Sequence, residues 1–142
     1  VPMTTFQLRK TLSTADMNSL HTTDVILHPG AGANKLVMPI GGVIRVDRAA
    51  TNTNGVGLNI HYSGTTATYG TDVIAHYRRF MQNITTDAVF GIVPVAATSN
   101  RHLSNLTSDL DNKVVISSTG AFTTDCFTSV DIFMTYQIIQ IA

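Results

Sequence analysis

The chain contains no glutamate, no tryptophan, one cysteine and three lysines among its 142 residues. Without glutamate, all carboxylate chemistry falls to nine aspartates, and nothing can supply the bidentate glutamate that closes a calcium loop. Asp109-Leu110-Asp111-Asn112 opens like such a loop but reads as a solvated turn. The lone Cys126 forms no intrachain disulfide and has no neighbouring Cys or His with which to hold a metal. It reads as a buried structural thiol. Charged residues make up 13% of the chain, against about 25% in ordinary soluble domains, and the formal net charge is zero. That balance argues against nucleic acid as a direct partner, because a pair such as Arg78-Arg79 neutralises too few phosphates. No apolar run reaches the roughly 20 residues that span a bilayer as a helix. The start, Val1-Pro2-Met3-Thr4-Thr5, lacks the charged-then-apolar pattern of a secretory leader. The expectation is a chain with no membrane association.

The polar residues present are chiefly Thr, Ser and Asn. Threonine is β-branched and fits a pleated surface, while Asn and Ser favour turns. The strong helix formers Glu and Lys are absent or scarce. The length suits a single domain over 1–142. Few charges and a 44% hydrophobic composition leave too little solvated surface to cover a lone molecule, which points to a homo-oligomer.

Local patterns supply the elements. Phe6 to Lys10, within residues 1–12, reads as an N-terminal arm or edge strand. Ser13 or Thr14 can cap a short helix through Met17 and Leu20. Asp24 to His28 is a strand ended by Pro29, and Gly30-Ala31-Gly32 supplies the positive φ angles of a reversal. Lys35 to Val46 is a long strand with a bulge or bend at Gly41-Gly42. Asn54-Gly55 marks a turn. From Gly57 to Ser63, Leu58, Ile60 and Tyr62 alternate with Asn59, His61 and Ser63, the signature of a half-buried strand. Val73, Ile74, Tyr77, Phe80 and Met81 follow helical spacing, so 71–83 is expected to be a helix, with a strand broken at Arg78-Arg79 as the alternative. Ala88 to Ala96, Lys113 to Ser118 and Ser129 to Ile141 complete the strands. Together they predict an all-β fold: a jelly-roll-like β-sandwich with one or two short helices.

No constellation of residues carries catalysis. His21, His28, His61, His76 and His102 show no i, i+4 metal pairing. No serine sits on a Gly-x-Ser-x-Gly elbow, and no glycine run has the phosphate-cradling pattern. Asn83-Ile84-Thr85 and Asn105-Leu106-Thr107 match the glycosylation sequon, as chance allows in so Asn- and Thr-rich a chain. The expectations are no enzyme activity, no catalytic or cofactor-binding residue, no metal and no cofactor. A carbohydrate- or receptor-binding jelly-roll module is the alternative to a purely structural chain. Its aromatic candidates are Tyr62, Tyr69 and Tyr77, with Tyr69 foremost.

Two stretches carry a family resemblance. Leu12 to Pro39, with Leu-His-Thr-Thr and Pro-Gly-Ala-Gly-Ala-Asn-Lys, resembles small virion proteins of tailed bacteriophages. The ending is similar to them too, from Val114-Val115-Ile116 through Thr119-Gly120 to Val130-Asp131-Ile132-Phe133-Met134-Thr135-Tyr136-Gln137-Ile138-Ile139. The resemblance covers roughly the first and last quarters of the chain, with motifs of modest specificity. It implies a capsid cement, or decoration, protein: a homotrimer on the outer capsid surface that stabilises the major capsid protein, assembled in the host cytoplasm. It carries no catalytic residues.

Overall fold

The computed structural model describes residues 4–63, 73–94 and 113–140. Strand β1 (Thr5–Ser13) leads into helix α1 (Thr14–Ser19). There follow β2 (Val25–His28), β3 (Lys35–Arg48), β4 (Leu58–Tyr62), β5 (Val73–Tyr77), β6 (Ala88–Gly91), β7 (Val114–Ser118) and β8 (Phe127–Gln140). One sheet has the order β1-β8-β3-β6 and the other β2-β7-β4-β5, with every neighbouring pair antiparallel. The chain changes sheet at every connection except β4 to β5. This double Greek-key order is that of a jelly roll.

Alternation builds the core. Leu12, Ile44, Val46, Leu58, Ile60, Ile116, Val130 and Ile132 point between the sheets and are wholly buried. Tyr62 joins them, and its hydroxyl crosses the sandwich to donate to the Val37 carbonyl at 2.6 Å. At six residues α1 is too short to stand on propensity. A capping box starts it: Ser13 Oγ accepts from the Asp16 amide while the Asp16 carboxylate accepts from the Ser13 amide. Met17 and Leu20 then anchor it in the core.

The expected punctuation holds. Gly30 and Gly32 have φ of 101° and 105°. The bulge falls between Pro39 and Gly41, and Gly42 follows with φ 142°. A Cβ on Gly42 would lie 2.0 Å from the Phe133 carbonyl oxygen, so only glycine lets β3 approach β8 there.

Two expectations fail. Within the described part of 71–83, the chain forms β5 and then a turn, not a helix. The helical spacing of its apolar residues is real, but Val73 to Ala75 pair along β4, and Phe80 and Met81 reach the core through turn geometry. The strand broken at Arg78-Arg79 is the correct alternative. Strand β4 is also not half-buried: all five of its residues are buried, Asn59 and His61 included.

At one end of the sandwich, buried Asn52 ties three loops together. Its Nδ2 donates to the carbonyls of Asn54 and Phe80, and its Oδ1 accepts from the amides of Asn54 and Thr123. The full hydrogen-bonding capacity of the side chain is thereby used.

Candidate interaction surface

The outward positions of the β1-β8-β3-β6 sheet follow from its register. Arg9, Phe133, Val43 and Gly91 lie in one row; Thr11, Asp131, Arg45 and Val89 lie in the next. The β3–β6 half carries bare apolar side chains, with Arg45 of β3 set opposite Val89 among them. Val43 is 39% exposed, Val89 67%, Ile40 at the bulge 45% and Val93 just beyond β6 58%. Phe133 borders this stripe. Beside it, over the Gly42 approach, an open hollow of about 460 Å³ is lined by Gln7, Arg9, Val43, Phe133 and Thr135.

The β1–β8 half is polar and internally paired. Asp131 lies nearly buried on the sheet, accepting from the Thr11 hydroxyl and from the Arg9 guanidinium at 3.2 Å. The Thr11 hydrogen bond holds its carboxyl below the usual carboxylate range, and the charges of Arg9 and Arg45 assist against the opposing cost of desolvation. Arg9 also lies over the Phe133 ring, 5.1 Å from its centroid. On the β3 side, Arg45 pairs with Asp47 at 3.5 Å, both partly exposed.

The outward face over β4, β5 and β7 is the reverse. Asn59, His61, Ser117, Val73 and Val115 are buried there, while Ile26 on the edge strand β2 stays 45% exposed. His61 Nε2 meets Ser117 Oγ at 2.8 Å, and its Nδ1 meets the backbone oxygen of Tyr62 at 2.9 Å. A serine beside a histidine has the form of a nucleophile and base. Here, however, a backbone carbonyl orients the ring and both residues are buried, so the pair satisfies a closed polar layer. His76 Nδ1 meets Asn59 Oδ1 in the same layer.

The remaining candidates are not brought together. His28 lies edge-on to Tyr136, its Nδ1 accepts from the Gly30 amide, and burial lowers its pKa. His21 is exposed. Among the described residues, no group of three or more His, Cys or Asp could hold a metal. Cys126 is buried, as expected, and burial pushes its thiol up. Two of the three tyrosines are committed elsewhere: Tyr62 to the core, and Tyr77 to the Gly91 carbonyl at 2.8 Å, with its pKa raised by burial to about 12. Asn83 is exposed in the turn after β5. Tyr69, His102, Asn105 and the 109–112 segment lie outside the described residues. Local sequence held no signal for the Arg9–Asp131 pair, whose members are 122 positions apart.

No protein-family model matches the chain, and no curated protein does. Among solved structures, it is similar to a chain of the cyanophage Pam1 capsid asymmetric unit, with a TM-score of 0.48 and 14% identity over 95% of this chain and 84% of that one. It is also similar to a chain of the Helicobacter pylori bacteriophage KHP30 capsid, with a TM-score of 0.43 and 12% identity over 98% and 94%. A third likeness is to desmodium yellow mottle tymovirus, with a TM-score of 0.35 and 15% identity over 96% and 87%. None reaches a TM-score of 0.5, so function is argued from this chain's own surface.

Proposed function

We propose that the chain is a structural virion protein: a capsid cement, or decoration, subunit that forms trimers on the outer capsid surface and braces the major capsid protein. The observation that carries this reading is the bare apolar stripe of Ile40, Val43, Val89 and Val93 on a chain with only 13% charged residues. Those residues expose roughly 350 Å² at most, within the range of about 300–600 Å² for the largest apolar patch on a typical monomer, which is often functional. In a trimer each copy lays the stripe against its neighbour, leaving loops free to reach the shell. Many such units on one capsid make individually weak contacts sufficient. The sequence resemblance to tailed-phage virion proteins supplies the capsid context.

The carbohydrate-binding alternative has less support, since Tyr62 and Tyr77 already serve the fold. Light scattering at micromolar concentration tests the first reading, together with co-sedimentation on capsid shells. Three chain masses and binding to shells are expected. A monomer that ignores shells overturns it.

A further inference from the structure

The turn after β5 runs against local backbone preference. Arg79, Met81 and Asn83 have φ of 50°, 59° and 58°. A non-glycine residue in that region is strained, and such geometry persists only where surroundings over-determine it. Here the core does so. Phe80 and Met81 are buried side by side at 1% and 3% exposure. The Phe80 amide donates to the Val56 carbonyl at 2.7 Å, and the Asn83 amide donates to the Asn52 carbonyl at 2.8 Å. The Phe80 carbonyl accepts from Asn52 Nδ2. The backbone from Arg79 to Ile84 is thus fixed on its inner side.

Arg79 and Ile84 in that stretch, and Arg78 just before it, are all exposed. Arg9, Arg45 and Arg48 each have a side-chain partner. Among the described residues, neither Arg78 nor Arg79 has one. Two unpaired guanidinium groups and an isoleucine on or beside a fixed backbone form a contact whose backbone ordering entropy is already spent in folding, so binding need order only the side chains. Two phosphate contacts give little affinity for nucleic acid, and a neutral chain adds no further attraction. Carboxylates fit better: the guanidinium fork takes them in paired hydrogen bonds, and Ile84 supplies the apolar contact beside them.

We propose that Arg78, Arg79 and Ile84 form the point at which the subunit docks on an acid-bearing segment of the shell protein. This rests on the virion reading above. The test uses phage shells freed of this chain, titrated with the wild-type protein and with the double variant Arg78→Glu/Arg79→Glu. The variant should keep its oligomeric mass and melting temperature and bind shells at least tenfold more weakly. Wild-type binding should weaken as salt rises. Shell binding by the double variant at wild-type strength overturns the proposal. A parallel titration against duplex DNA covers the phosphate alternative: tight DNA binding that the double variant abolishes also overturns it. Wild-type protein that binds no shell counts against the virion reading itself, and the docking point falls with it.

Discussion

On one side of the sandwich, valines and isoleucine face outward and stay bare. On the other, asparagine, histidine and serine face outward and are buried. The usual sorting of residues is inverted between the two faces, and the inversion separates what the chain completes by itself from what it leaves open. The face over β4, β5 and β7 is finished: the buried polar atoms of His61 and Ser117 are paired with each other, so burial leaves them satisfied. The β3–β6 half of the other sheet is unfinished. At roughly 25 cal/mol per Å², its exposed apolar area is worth at most about 9 kcal/mol of gross burial. Association costs about 4–15 kcal/mol before any net gain. One stripe alone is therefore marginal, and the trimer proposed above would offset this by giving each copy two contacts.

The sharpest way to break the comparison is to place the same charge on each face. Val115→Lys sets an ammonium group on the closed face, at a position 2% exposed. Burial of an unpaired charge predicts a loss of about 3 kcal/mol or more, read as a fall in urea midpoint at unchanged slope. A loss below about 1 kcal/mol would mean that this face opens readily. Ser117→Ala is milder. It strips His61 Nε2 of its partner and should cost about 1–3 kcal/mol. The double variant Ser117→Ala/His61→Leu should lose less than the sum of the two single changes, because the orphaned nitrogen leaves with the ring.

Asp131 tests the polar half of the open sheet. Its folded pKa lies below the unfolded value of about 3.9. The carboxylate therefore contributes its full stability above that value, and the contribution is lost as pH falls through the folded pKa. Asp131→Asn should cost about 1 kcal/mol at pH 7, a modest figure because the Arg9 side chain is 61% exposed and its pairing is screened. The gap between variant and wild type should stay level from pH 7 to pH 5 and narrow below about pH 4. A gap that widens in acid would contradict the assignment.

How much of this was legible in the sequence depends on where the cause lies. The Ser13 cap, the Gly30 and Gly32 reversal and the Gly42 bend are local backbone requirements, and the residues that meet them stand at the positions concerned. Alternation in Leu58, Ile60 and Tyr62 gave the strand and its core face. It could not give the fate of Asn59 and His61, because their cover comes from outside the strand. The 71–83 segment misled for a related reason. Val73, Ile74, Tyr77, Phe80 and Met81 satisfy a helical period, yet edge pairing with β4 and the Asn52 clamp decide the outcome, and both lie far away in sequence. The open stripe was legible only as a bulk property, the scarcity of charge. Its residues come from β3 and β6, which only the fold makes neighbours.

The smallest expected effect on stability is the most informative about assembly. Val89 is 67% exposed on the short outer strand β6, so Val89→Lys removes almost no buried contact. Unfolding free energy measured on the dissociated chain should change by no more than about 0.5 kcal/mol. In a trimer the same lysine would be driven into a contact that excludes water, where a charge without a partner is costly. The scattering mass should therefore drop towards one chain at concentrations where the wild type remains associated, and adding Val43→Lys should deepen the drop. Ile26→Lys, at a side chain 45% exposed on the edge of the opposite sheet, should leave the mass as it is. If Ile26→Lys dissociates the assembly and Val89→Lys does not, the copies meet through the β2 edge, and the bare stripe is left for the shell.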